Sequence, residues 1–155
     1  MSNIYFPDEE ITYNDLYFVC YMIERVARAI KQPNRYVVER LGKDGLARQL
    51  SIAGTNHSLN PEQVVSDWKV EYQLENGTTD VTCIDSRFTD TVPSATQMGK
   101  VYARLIDTIS QGQDLVQSIQ KVYSSPICDV IDNYNSSAYY EPSYVQVRAY
   151  QNGFF

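Results

Sequence analysis

The chain has little of what enzymes and metal proteins usually need. His57 is the only histidine in 155 residues, and no nucleophile or orienting carboxylate accompanies it in a recognisable set. The three cysteines, Cys20, Cys83 and Cys128, are too far apart for metal-ligand spacing. No glycine-rich loop has the spacing of a phosphate-binding motif. We therefore expect no catalytic residue, no metal and no cofactor, and we favour binding over catalysis.

Signals for membrane insertion and secretion are also missing. No apolar run approaches the ~20 residues that a membrane-spanning helix needs. Residues 1–10 contain no basic stretch followed by an apolar one, as a signal peptide would. An odd number of cysteines suits a reducing compartment better than a disulfide framework. These features predict a cytoplasmic protein that makes no membrane contact.

The composition is that of a globular domain. Hydrophobic residues make up 43% of the chain and charged residues 21%, and the formal net charge is -6. That proportion of apolar residues suffices for a core, whereas the negative charge opposes long-range attraction to nucleic acid. We expect residues 1–155 to form a single helical domain, with a sub-boundary at residues 85–93 between halves 1–84 and 94–155.

Apolar residues recur at helical spacing along most of the chain, which predicts an all-α fold. We expect a compact bundle of six to eight short helices. Thr12 and Asp15 resemble a capping box at the start of a first helix that ends near Lys31. Gly42 and Gly54 are expected to end helices over residues 34–41 and 44–53.

Helix starts are also marked in the rest of the sequence. Asn60 and the proline after it form a strong start for a fourth helix. Ser94 with Gln97 predicts a helix that ends before Gly112, and a further helix is expected over residues 113–123. Prolines 126 and 142 are each expected to open a short helix.

Residues 72–84 allow two interpretations. Asn76 and Gly77 form a turn signal, and residues 78–84 are rich in threonine and valine. This pattern predicts a minor β-hairpin with residues 72–75. Alternatively, Gly77 only ends the fourth helix.

One segment is basic in an otherwise acidic chain. Residues 24–48 hold seven basic and three acidic residues. A helix-turn-helix could use such a segment to bind DNA, and its contacts would be Asn34, Arg35, Arg40 and Lys43. A packing unit whose charges are neutralised by the acidic remainder is the commoner arrangement. A DNA-binding regulator is therefore the first alternative function.

Tyrosine is unusually frequent, with thirteen residues in the chain, and it is concentrated near the C-terminal end. Tyrosine offers a large contact area with a polar tip and is enriched at protein interfaces. We refer to residues 134–155 as the aromatic segment and expect it to bind a protein partner or a second copy of the chain. The candidate interface residues are Tyr134, Tyr139, Tyr140, Tyr144, Tyr150 and Phe154.

Two weaker signals allow a small enzyme as the second alternative. His57 could act as a general base, although a lone histidine in a polar connector is more often a hydrogen-bonded loop residue. Asp129 and Asp132 lie three residues apart and could share a hard cation, but such a pair usually belongs to a solvated helix face.

Several stretches together resemble a known family. They are residues 15–25, residues 35–38 with 60–61, residues 97–102 and residues 131–144. They are similar to short bacterial proteins of unknown function from gut anaerobes and Gram-positive bacteria. The resemblance covers most of the chain and transfers no catalytic residue.

Relatives of the first half are sometimes encoded beside proteins similar to ADP-ribosyltransferases, and this implies an antitoxin, immunity or accessory role. The chain does not look like the transferase itself, because those folds are strand-rich and their catalytic sets have no clear match here. We therefore predict a non-enzymatic cytoplasmic protein-interaction module.

Overall fold

The computed structural model describes all 155 residues, and its regular secondary structure is almost entirely helical. Its α-helices are α1 (Tyr13–Ile30), α2 (Asn34–Asn56), α3 (Pro61–Glu71), α4 (Ala95–Ser110), α5 (Leu115–Tyr123), α6 (Pro126–Ile131) and α7 (Ser143–Asn152), with a 3-10 helix at Ala138–Tyr140. The predicted all-α bundle of six to eight helices is confirmed. Extended pairing is limited to an isolated bridge between Ser2 and Glu10. No helix has both the length and the apolarity to cross a bilayer.

Helix α1 is the central element of the bundle and packs against α2, α3 and α4. The predicted capping box begins it: the Thr12 hydroxyl accepts from the Asp15 amide at 3.3 Å, and the Asp15 carboxylate accepts from the Thr12 amide at 2.8 Å. The helix ends at Lys31, whose φ of 58° is left-handed. Because most of its side chains are buried, α1 fixes the positions of its neighbours.

Helices α1 and α4 approach each other closely at Gly99. A Cβ atom there would lie 2.8 Å from the Tyr21 Cα, so only glycine allows this approach of the two backbones. The core is one cluster of 37 buried apolar residues, drawn from both sides of residues 85–93. The two halves of the sequence therefore share a hydrophobic core.

Helix α2 consists of two helical parts that meet at a kink, as the predicted pair of helices requires. Gly42 ends the first part, with a non-helical φ of 67° and ψ of -175°. Gly54 does not end the helix, which continues to Asn56. Burial of Leu46 and Leu50 stabilises this second part and outweighs the low helix propensity of a single glycine.

The predicted hairpin at residues 72–84 does not form. Instead, the Gly77 amide donates to the Ile30 carbonyl at 2.8 Å and the Thr79 amide donates to the Lys31 carbonyl at 2.9 Å. The segment thus pairs with the end of α1 rather than with itself. Helix α3 already ends at Glu71, so the alternative role of Gly77 as its stop is wrong as well.

Other predicted helix starts are confirmed. The Asn60 side chain accepts from the Glu62 amide at 3.0 Å at the start of α3, and Ser94 accepts from the Gln97 amide at 3.0 Å at the start of α4. Helix α6 begins at Pro126 and α7 directly after Pro142.

Candidate functional site

The aromatic segment divides into buried and exposed residues. Tyr134 and Tyr139 are buried, with 2% and 6% of their surface exposed, and their rings meet edge to face at 5.6 Å. The Tyr134 hydroxyl also accepts from the Arg28 guanidinium at 3.0 Å. Both were expected at an interface, and the structure corrects this because they pack into the chain's own core. Tyr150 is partly buried against the same core.

The other three candidates face solvent. Tyr140, Tyr144 and Phe154 are 64%, 69% and 68% exposed. The Tyr140 ring packs edge to face on the buried Tyr139 at 4.9 Å, so its direction is set by the core. The Tyr144 ring lies 5.8 Å from the Arg148 guanidinium carbon. The segment therefore presents aromatic surface from a fixed backbone.

The backbone of this segment is held by one buried amide. Gln146 on α7 is 3% exposed, and its Nε2 donates to the Ala138 carbonyl at 2.9 Å and to the Tyr139 carbonyl at 3.1 Å. These bonds join α7 to the 3-10 helix, and α7 in turn packs on α4. Tyr140 and Tyr144 are consequently held at a defined separation.

A small cleft lies beside the exposed tyrosines, between α4 and the start of α7. Its volume is about 250 Å³, and we call it the α4–α7 cleft. Val101 and Tyr139 are its buried apolar residues. Lys100 and Arg104 line it from α4, and Tyr140 lines it from the 3-10 helix.

A larger groove lies at the other end of the sequence. It measures about 790 Å³ and runs between residues 1–5, α2 and the start of α5. Ile4 and Tyr5, which are 57% and 47% exposed, line it together with Ala47 and Val116. Sequence reasoning missed this groove, because residues 1–11 have no periodicity that predicts what they pack against.

The four predicted nucleic-acid contacts do not form a common surface. Asn34 is 5% exposed and lies inside the fold. Arg35 forms an ion pair with Asp129 on α6. The Arg40 guanidinium donates to the Gln73 carbonyl at 2.7 Å. Lys43 is exposed without an ion pair and lines the large groove.

The remaining basic side chains of residues 24–48 all contact other parts of the chain. Arg28 is held by the Pro93 carbonyl at 2.8 Å and by Tyr134. The other three form ion pairs with acids distant in sequence: Arg25 with Glu62 at 3.8 Å, Lys31 with Asp80 at 3.4 Å and Arg48 with Glu71 at 2.6 Å. The basic segment is thus a packing unit whose charges are largely balanced by the acidic remainder.

A buried polar cluster connects α1, α2, α4 and α6. The Asn34 amide nitrogen donates to Glu24 Oε1 and to Asp132 Oδ2, both at 2.9 Å. The Tyr102 hydroxyl donates to Asp132 Oδ1 at 2.7 Å, and the Cys128 thiol lies 3.2 Å from Asp132 Oδ2. Asn34 therefore holds two carboxylates near each other inside the protein.

Burial controls the protonation of this cluster. Glu24 is 1% exposed, and loss of solvation together with the nearby Asp132 charge raises its pKa to about 8. Burial also raises the pKa of Asp132. A carboxyl as enclosed as Glu24 has no surface for a substrate to reach, so the arrangement is suited to holding four helices together.

Nothing in the sequence pointed to this cluster. Glu24 follows Ile23 and lies beside the apolar stripe of α1. An acidic residue at the edge of such a stripe is usually solvated. Asp129 and Asp132 were expected to share a solvated face, but Asp129 pairs with Arg35 whereas Asp132 turns inward. Their different surroundings depend on tertiary packing, which spacing does not encode.

His57 and the three cysteines are the remaining residues that the sequence singled out. His57 lies at the C-terminal end of α2, and its ring packs on Phe18 with 5.0 Å between centroids. All three cysteines are free thiols: Cys20 and Cys128 are buried, and Cys83 is exposed.

Comparison with known proteins identified no relative. No protein-family model matches the chain, and no curated protein or solved structure matches it significantly. The resemblance to short bacterial proteins stays a prediction.

Proposed function

We propose that this chain is a non-enzymatic protein-interaction module that binds a protein partner, or a second copy of itself, through the aromatic segment. The observation that carries the proposal is the exposure of Tyr140, Tyr144 and Phe154 on a segment whose other face is part of the core. Large aromatic side chains dominate binding energy at protein interfaces. Exposed together on one segment, they favour an interaction surface.

Preorganisation supports the proposal. Association costs less free energy when the contacting side chains are already ordered. Tyr140 rests on the buried Tyr139, and Gln146 joins α7 to the 3-10 helix. A partner would therefore meet a surface whose backbone is already in place.

We extend the proposal to the kind of partner on the basis of the family resemblance. Its genomic association favours a toxin-like enzyme that this chain neutralises or assists in the cytoplasm. The alternative of a DNA-binding regulator has less support, because four of the seven basic side chains of residues 24–48 form ion pairs within the chain.

Affinity purification from the source cells tests the proposal. The bait is the full chain as wild type, as Tyr140→Ala/Tyr144→Ala, and as Phe88→Ala, with recovered proteins identified by mass spectrometry. Phe88 is a matched control because it is 68% exposed but lies outside the aromatic segment. Fluorescence of the buried Trp68 confirms that each variant is folded.

We expect one stoichiometric partner with wild type and Phe88→Ala and its loss with the double variant. If self-association is the interaction, light scattering will show a dimer that the double variant loses. Recovery of the same proteins from all three baits would contradict the proposal. So would the absence of any partner together with a monomeric wild type.

A further inference from the structure

The α4–α7 cleft is lined by two basic side chains that form no ion pair. Lys100 and Arg104 lie one turn apart on α4, are exposed and line the cleft. Neither takes part in an ion pair, although the Arg104 charge also acts on the Tyr13 hydroxyl of α1. Other basic side chains lack an ion pair too, but these two line the same cleft, so an anion bound there would contact both.

The opposite wall adds one negative charge, which leaves the lining of the cleft with a net positive charge. Glu141 is the one carboxylate that lines the cleft, and it already accepts from the Ser137 hydroxyl at 3.3 Å. Ser143, the first residue of α7, also lines the cleft. No side chain caps α7, so the positive end of its dipole adds to the potential supplied by the two cations.

The size of the cleft limits its occupant. At about 250 Å³ it falls below the ~300–1,000 Å³ of sites for drug-sized ligands and cofactors. One acidic side chain of another protein is small enough to fit in the cleft. The exposed Tyr140 ring forms part of the wall, so a chain bound to the aromatic segment would pass this cleft.

We propose that the α4–α7 cleft binds an acidic side chain of the protein partner, with Lys100 and Arg104 as its counter-ions and Tyr140 as the adjacent apolar contact. This inference rests on the proposed function and adds the chemistry of the partner: an acidic residue next to the surface that covers Tyr140. Charge complementarity of this kind sets orientation and specificity at interfaces.

A peptide titration followed by ¹H–¹⁵N NMR tests the inference. The probes are a blocked Glu-Glu dipeptide and its uncharged Gln-Gln counterpart. The proteins are wild type, Lys100→Gln/Arg104→Gln, and Lys69→Gln/Lys121→Gln as a control. Lys69 and Lys121 are exposed and likewise make no ion pair, but they lie outside the cleft.

We expect the Glu-Glu probe to shift the amide signals of Lys100, Arg104 and Ser143, and the Gln-Gln probe to leave them in place. The cleft double variant should bind Glu-Glu at least about tenfold more weakly, and the control variant should match wild type. Binding should also weaken as salt increases. Equal shifts with both probes, or unchanged affinity in the cleft variant, would overturn the inference.

Inorganic phosphate separates a partner site from a site for a free anion. If phosphate shifts the same signals at lower concentration than Glu-Glu does, the cleft binds a free anion and the inference is wrong. In the affinity purification, partner recovery that survives Lys100→Gln/Arg104→Gln but not Tyr140→Ala/Tyr144→Ala would overturn this inference alone. Recovery that survives both would overturn the proposed function as well.

Discussion

Replacement of Glu24 by glutamine should make the protein more stable near neutral pH. Glu24 is buried and hydrogen-bonded to Asn34, and burial raises its pKa from 4.5 to about 8. Between these values the folded state holds a proton that the unfolded state has released, so stability falls as pH rises. A glutamine has no charge to bury and still offers Asn34 an oxygen acceptor.

The expected difference in stability follows from the pH range between the unfolded and folded pKa values of Glu24. Each pH unit between the unfolded and folded pKa costs about 1.4 kcal/mol, so the wild type should lose about 3 kcal/mol between pH 4.5 and pH 7 through this group. Glu24→Gln should therefore exceed the wild type by less than about 1 kcal/mol at pH 5 and by about 3 kcal/mol at pH 7. The burial-raised pKa of Asp132 acts in the same direction in both proteins.

Urea unfolding at pH 5, 6, 7 and 8 measures this difference. The single tryptophan, Trp68, is 1% exposed and reports unfolding by fluorescence. Glu39→Gln is the control, because Glu39 is exposed and makes no ion pair, and it should follow the wild type. Equal pH slopes in wild type and Glu24→Gln would show that the buried Glu24 carboxyl does not cause the loss of stability.

Three further predictions concern packing, thiol chemistry and nucleic acid. Gly99→Ala should lower the free energy of unfolding by about 1–3 kcal/mol, because its methyl group would meet the Tyr21 backbone. Gly54 has open space around it, so Gly54→Ala should raise the free energy of unfolding by up to ~1 kcal/mol. Chemical unfolding measures both changes. Cys83 should react with a thiol reagent in the folded protein, and the two buried cysteines only after unfolding. Duplex DNA should bind weakly, with no steep salt dependence in a filter-binding or anisotropy titration, because four of the seven basic side chains of residues 24–48 already form ion pairs.

Local signals predicted the helices well. The capping box at Thr12 and Asp15 and the caps at Asn60 and Ser94 depend on residues within one helical turn. The same holds for the start of α7 after Pro142. Such features are encoded by neighbours in sequence and can be read without knowing the fold.

Features that depend on distant contacts could not be predicted. The segment around Gly77 has the composition of a hairpin, yet it pairs with the end of α1. Gly54 has the appearance of a helix stop but lies inside α2, where packing of the neighbouring turns decides the outcome.

The exposure of the candidate interface residues could be predicted only in part. Tyr140, Tyr144 and Phe154 are exposed as an interface requires, whereas Tyr134 and Tyr139 are in the core. Amino-acid composition identifies the aromatic segment, but it does not predict which of its rings are buried and which face solvent. The unpaired cations of the α4–α7 cleft carried no sequence signal, since pairing is decided by the three-dimensional positions of acids elsewhere in the chain.

Site-specific photocrosslinking in the source cells shows whether the aromatic segment contacts a protein partner. A photoreactive phenylalanine analogue would replace Tyr144 in one version of the protein and Phe88 in another, and both are about equally exposed, at 69% and 68%. We predict one discrete crosslinked protein, or a crosslinked dimer, from position 144 and none from position 88. The same pattern of crosslinks from both positions, or none from position 144, would contradict the account.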